Sequence, residues 1–250
     1  MRIVLLPSAY APAVGGVELL TQLLAHRLIA TGHTVEVWTI RHPPQLPAVD
    51  AIDGITVRRF SLPLPVAEIG KAVRFGPDAV GALRDIGRAT RAFSPDVLHV
   101  QCFSANGIYA SAISLLLRIP LVVSLQGETV MDDHDIYERS MSLRVGLRAG
   151  LRVAHTVTAC SQFVLDDAVY RFGLAPGTGV VVPNGVELRD AVPATELPLP
   201  FQRFVFALGR AVEKKGFDLL IEAFARIANH HRRSPGRHRR AGSRSGRKPR

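Results

Sequence analysis

Two stretches of the chain pair glycine with groups able to hold an anion or a hydroxyl. The first runs Pro7-Ser8-Ala9-Tyr10-Ala11-Pro12-Ala13-Val14-Gly15-Gly16-Val17-Glu18 and ends in a glycine pair directly ahead of a periodic apolar run. Glycine lets a ligand approach the backbone closely and permits positive φ, and a helix starting there offers free N–H groups at its positive end. A phosphate or a sugar hydroxyl suits that place; a strand-to-helix turn without a ligand suits it equally. The stretch lacks G-x-G-x-x-G and is longer than the usual dinucleotide turn, which disfavours a nicotinamide-dinucleotide domain. The second stretch is Gly209-Arg210-Ala211-Val212-Glu213-Lys214-Lys215-Gly216. Arg210 brings planar paired donors and Lys215 a point charge just before a helical run, a combination that fits a diphosphate. A solvated basic turn is the plain alternative.

Three further groups have weaker claims. Asp132-Asp133-His134-Asp135 could ligate a metal, but the run sits in a loop with no orienting partner and reads as a polar loop. Arg144, Arg148 and Arg152 share one helix face, as do Leu143, Leu147 and Leu151. Such a helix could dock on an anionic membrane surface, or be an ordinary amphipathic helix with a solvated basic side, the reading its spacing favours. Cys102 and Cys160 form neither a C-x-x-C pair nor a disulfide framework and read as buried reduced thiols.

Positioning these residues falls to alternating strands and helices. Val/Ile/Leu-rich runs at 2–6, 34–39, 55–60, 97–101, 121–125, 156–159 and 180–182 read as seven strands. Most are continuous apolar runs, as parallel strands covered on both faces would be. Helical periodicity lies at 17–31, 77–93, 105–117, 136–153 and 162–172. Strand and helix in alternation predict an α/β, doubly wound, mostly parallel Rossmann-like sheet. Right-handed crossovers then bring the loops at 7–16, 101–106 and 126–135 to one edge, around a common crevice.

The organisation that follows is a domain over 1–190, a Pro-rich linker over 191–201, a first βα unit of a second domain over 202–228 (strand 204–208, helix 216–228), and a basic tail over 229–250. The net charge of +10 belongs to that tail. Ten of the 31 Lys and Arg lie between Arg226 and Arg250, where there is no Asp or Glu, leaving 21 basic and 21 acidic residues before it. With Ala241 as its one apolar residue, the tail cannot bury enough surface to offset chain entropy and is expected to be disordered. It could bind nucleic acid through phosphates, but without aromatic residues or a motif no specific nucleic-acid recognition is expected. The apolar start breaks at Pro7, too early for a signal peptide, and no run could span a bilayer. A cytoplasmic protein is expected, with peripheral work at the inner membrane surface as a variant.

GGVELLTQLLAHRLIATGHTVEVWT, SPDVLHVQ, TACSQFVLDD, VVPNGVE and GRAVEKKGFDLLIEAFA together resemble family 4 of the retaining glycosyltransferases, from residue 1 to about Ala228. The resemblance implies the GT-B fold of two facing Rossmann-like domains. It implies sugar transfer with retention from a nucleoside-diphosphate donor to a sugar, lipid-linked or small-molecule acceptor, with no cofactor and no required metal. Carried onto this sequence, Gly15 and Gly16, with Glu18 beside them, would line the donor phosphates and the acceptor, and Arg210 and Lys215 would neutralise the leaving diphosphate. The family's His-x-His and His-Gly places read His99-Val100-Gln101 and Gln126-Gly127-Glu128 here, and Asn184 lies in its interdomain crossover. These residues are expected at the donor and acceptor site. Glutamine can hold a sugar hydroxyl but cannot transfer a proton. The family's Glu-x7-Glu motif is not found after Ala228, so a second domain cut short and an impaired enzyme are expected. The alternative is a non-catalytic α/β module binding an acceptor or a membrane surface.

Overall fold

Short Val/Ile/Leu runs extend into strands because their branched side chains pack on a pleated surface, and the amphipathic runs between them carry the chain back across the sheet. The computed structural model describes residues 1–65, 69–131, 135–186, 205–209 and 212–232. Its strands are β1 Arg2–Pro7, β2 Thr34–Ile40, β3 Val49–Ile52, β4 Ile55–Phe60, β5 Val97–Gln101, β6 Leu121–Leu125, β7 Thr156–Ala159 and β8 Gly179–Val181. They form one sheet in the order β3-β4-β2-β1-β5-β6-β7-β8. Among the described residues only β3 and β4 pair antiparallel. The helices are α1 Gly16–Ala30, α2 Ile69–Phe93, α3 Ala105–Leu117, α4 Glu128–Met131, α5 Ile136–Arg139, α6 Met141–Val153, α7 Gln162–Phe172 and α8 Phe217–Arg232. The chain divides into two compact units, Met1–Thr195 and Glu196–Arg250.

Strand order decides which faces are covered. The step from β1 to β2 runs one way along the sheet, and the steps from β4 through β5, β6, β7 and β8 run the other. With right-handed crossovers, α1 lies on one face and α2, α3, α6 and α7 on the other. The core follows this division. Ile3, Leu5, Val35, Val37, Ile55 and Val57 pack with Ala25 of α1. Val4, Leu98, Val100, Leu121, Val123 and Val157 pack with Ile86, Ile113, Leu147 and Phe172 of the helices opposite. The central strands β1 and β2 are buried on both faces, as the continuous apolar run of β1 predicts, while β2 also buries Glu36 and Thr39. Strands β5 and β7 alternate instead, because only one of their faces is covered by that helix layer. Phe103 reaches between α3 and α6 where Gly107 and Gly150 leave room, and a side chain on either glycine would strike its ring.

Five expectations are corrected. The sheet has eight strands, not seven: β3 and β4 are a hairpin closed by Asp53 (φ 50°) and Gly54 (φ 79°), the two-residue turn that needs positive φ at both positions. Helix α2 begins at Ile69, eight residues before Pro77, which sits inside it and forgoes one backbone bond. The single helix expected over 136–153 is interrupted at Ser140, whose extended backbone (φ −110°, ψ 106°) and hydroxyl cap α6 by accepting from Leu143 N. In the second unit, residues 205–208 form no strand, there being no strand among its described residues to pair with them. The rest of that prediction, residue 204, lies outside the described residues. Helix α8 starts one residue later than expected, after Gly216 at φ 62°, and runs to Arg232, so residues 229–232, expected in the disordered tail, are helical.

Candidate functional site

Parallel strands bring their C-terminal ends to one edge, and the register there sets polar residues side by side. Gln101 on β5 is opposite Ser124 on β6, and Ser124 is opposite Thr158 on β7. His99, two residues before Gln101, shares the same face. These side chains lie on the face away from α3, α6 and α7, and they join in a continuous line. The Thr158 and Ser124 hydroxyls are 2.7 Å apart, and Ser124 Oγ is 2.7 Å from His99 Nε2. Gln101 Nε2 is 2.9 Å from that same nitrogen. Gln126 Nε2 donates to Gln101 Oε1 at 3.1 Å, and Asn184 Nδ2 donates to Gln126 Oε1 at 2.8 Å. Burial pushes the His99 imidazolium down to about 4, so the ring is neutral near pH 7. Of the residues nominated from sequence, His99, Gln101, Gln126 and Asn184 thus meet in one line.

Glu128 stands behind them, not among them. Gly127 takes φ 90° between Gln126 and Glu128, and the Glu128 carboxylate turns inward to accept from Phe103 N at 2.5 Å and Gln126 N at 2.6 Å. It therefore ties the loop after β5 to the turn after β6. Burial raises its carboxyl above the ordinary range, opposed by these backbone donors. Both of its oxygens are turned to main-chain donors.

At the first loop, Gly15 is the N-cap of α1 in extended backbone (φ −168°, ψ 179°). Neither Gly15 nor Gly16 takes positive φ, so close approach is their distinctive property. The two differ in surroundings. A side chain at Gly15 would collide with the Glu18 carboxylate, whereas space above Gly16 is open to 4 Å. Glu18 therefore holds its negative charge at the helix's positive end, where an anionic ligand would compete with it. Arg59, on β4 with a fully buried side chain, supports the loop by donating to the Ala11 carbonyl at 2.9 Å, while pairing with Asp50 at 3.2 Å. Asn106 donates to the Leu6 carbonyl at 2.6 Å and the Cys102 carbonyl at 3.2 Å, joining the end of β1 to the loop after β5.

Sequence reasoning did not single out Ser124, Thr158, Arg59 or Asn106. Signals existed: the alternation Thr156-Val157-Thr158 marks a strand with one polar face, and an arginine pair inside the run ITVRRF demands carbonyl or carboxylate partners.

In the second unit, Lys215 is exposed at the end of a single 3₁₀ turn, Glu213–Lys215. Arg210 lies outside the described residues, as do 132–134 of the acidic loop and 233–250 of the basic tail. Among the described residues no cluster of His, Cys, Asp and Glu could hold a metal ion. Leu143, Leu147 and Leu151 are core residues, which settles the apolar stripe of α6 as packing. No described helix is long and apolar enough to cross a membrane.

Among solved structures, the chain is similar to sucrose-phosphate synthase from Thermosynechococcus elongatus, at 16% identity over 73% of this chain and 48% of that one, with a TM-score of 0.50. It is also similar to MurG from Acinetobacter baumannii (12% identity, 75% and 47% covered, TM-score 0.45). A third likeness is to the catalytic domain of starch synthase IV from Arabidopsis thaliana (10%, 74% and 52%, 0.48). The chain spans about half the length of each. No curated protein matches it in sequence. The sheet of the first unit is a Rossmann-like domain of the GT-B type. The model of the glycosyl transferase 4-like domain matches residues 15–185, more than half of the chain and nearly all of the sheet, so the chain belongs to the glycosyl transferase 4-like family.

Proposed function

We propose that the chain is the acceptor-side half of a retaining glycosyltransferase that uses a nucleoside-diphosphate sugar and needs no metal. The observation that carries this reading is the line of neutral hydrogen-bonding side chains, His99, Gln101, Gln126 and Asn184, at the C-terminal edge of a glycosyl transferase 4-like sheet. Neutral amides suit sugar hydroxyls, which donate and accept at once. In this reading Gly15 and Gly16 admit the acceptor and the donor phosphates to the loop after β1. Arg210 and Lys215 neutralise the departing diphosphate, stabilising charge as the sugar becomes oxocarbenium-like. The acceptor is a sugar, a lipid-linked sugar or a small molecule.

These 250 residues by themselves should transfer sugar poorly. The two cations need a nucleotide-sugar domain to fix them, and a misplacement of about 1 Å can cost roughly a hundredfold in rate. Transfer from a panel of labelled nucleoside-diphosphate sugars should be assayed with the chain alone and with the chain joined to a complete nucleotide-sugar domain. Turnover by the joined protein, lowered mainly in kcat by Arg210→Ala or Lys215→Ala, is the expected result. Brisk transfer by the 250 residues alone would refute the impairment. Absence of transfer by the joined protein across the panel would refute glycosyl transfer.

One surface favours the second reading, a membrane-surface module. Between α2 and α3 lies a groove of about 430 Å³ lined by Arg84, Arg88, Arg91, Leu116 and Leu117, and neighbouring Leu115 is 64% exposed. Arginine beside exposed leucine suits an anionic bilayer surface. Co-sedimentation with phosphatidylglycerol vesicles but not with phosphatidylcholine vesicles would support it.

A further inference from the structure

A carboxamide has a donor end and an acceptor end, so carboxamides in series must all run the same way. In this structure Asn184 donates to the Gln126 oxygen, and Gln126 donates to the Gln101 oxygen. Gln101 is left with its N–H group directed at His99 Nε2, 2.9 Å away. Ser124 Oγ lies 2.7 Å from that nitrogen, and its hydroxyl can rotate to donate there while accepting from Thr158. Donors converge on Nε2, which must offer its lone pair and leave the ring proton on Nδ1. The ring's burial, which keeps it neutral, agrees with this.

We propose that Gln101 and Asn184 are positioning residues for Gln126, and that the Nδ1–H tautomer of His99 sets the direction of the whole line. Were Nε2 protonated instead, Gln101 would have to turn its carbonyl toward the ring. Gln126 and then Asn184 would have to reverse in turn. With the direction fixed, Gln126 keeps one free N–H and one free carbonyl lone pair in constant places, a pair matched to a single uncharged hydroxyl. This deepens the sugar-binding reading and rests on it only for what Gln126 holds.

The test needs no ligand, so its failure is separate from failure of glycosyl transfer. Imidazole nitrogen NMR of the full chain at pH 7, with the His99 signals identified by their loss in His99→Gln, reports which nitrogen carries the proton. The expected result is a proton on Nδ1 and none on Nε2. Gln126→Glu supplies acceptors only, so Gln101 must donate toward it and face His99 with its carbonyl. The ring proton should then move to Nε2. Asn184→Asp, at an exposed position, imposes the same demand one link further out and should move the proton as well. That variant keeps the test available if Gln126→Glu fails to fold. A proton on Nε2 in the unaltered chain, or one that stays on Nδ1 in Asn184→Asp, would overturn the proposal.

Discussion

His99 should make the first unit lose stability in acid by an amount that can be worked out. Its ring is held neutral in the folded state, where protonation waits until about 4, while an unfolded histidine takes its proton near 6.5. Because the folded value is the depressed one, the stabilisation is complete above pH 6.5. It is lost as pH falls between 6.5 and about 4, where the unfolded chain binds a proton that the folded chain refuses. At ~1.4 kcal/mol per pH unit that window corresponds to ~3 kcal/mol at full burial, and solvent screening at a half-buried ring brings it nearer ~2 kcal/mol. Trp38 is the single tryptophan and is 1% exposed in the core beneath β2, so its fluorescence reports unfolding of this unit. Urea midpoints should be compared at pH 7.5 and 4.5 for the native chain and for His99→Gln, which hydrogen-bonds but does not titrate. The native chain should lose ~2 kcal/mol more than the variant, other ionisations cancelling between them. Equal losses in the two proteins would show that the line at His99 accepts the imidazolium as readily as water does.

Glu128→Gln keeps an acceptor for one of the Phe103 and Gln126 amides and turns its NH2 toward the other, leaving two donors face to face without an acceptor. A loss of ~2–4 kcal/mol in urea unfolding is expected, and an unchanged midpoint would contradict the inward role of this carboxylate. Gly150→Ala places a methyl group against the buried Phe103 ring between α3 and α6 and should destabilise by ~1–3 kcal/mol, measured the same way. Leu147→Ala empties a fully buried position on α6, and calorimetry should show ~2–5 kcal/mol lost. Deleting residues 233–250 should leave the melting temperature of the first unit unchanged, since their composition offers almost no apolar surface.

Much of the fold was legible in the sequence because burial imposes local rules. Strand β1, the helix leading from it and strands β5 to β8 follow from apolar runs and helical spacing, which a parallel sheet requires of any chain. The Asp53-Gly54 turn was equally local, but only the strand after it had an apolar signal and the strand before it had none. Strand β3 is exposed on alternate residues and carries Asp50, so it had no apolar run to announce it. The break at Ser140 was hidden for the opposite reason, since apolar residues at helical spacing flank it, Ile136 and Tyr137 before and Met141 and Leu143 after.

The candidate site divides along the same line. Residue type alone says that Gln126 can hold a hydroxyl without moving a proton, and that Arg210 and Lys215 suit a diphosphate. Nothing local says that Gln101, Gln126 and Asn184 meet, because they come from a strand end, a turn and a crossover up to 83 residues apart, and only sheet register sets their spacing. Neighbours in sequence diverge just as sharply. Gln126 and Glu128 flank one glycine, yet the first joins the polar line and the second turns inward to clasp two loops, since Gly127 reverses the chain between them. The sequence by itself determined which side chains could bind a sugar or a phosphate and in which elements they stand. Only the tertiary structure decided which of them face one another, because hydrogen bonds of about 3 Å are set by packing between elements and not by any period along the chain.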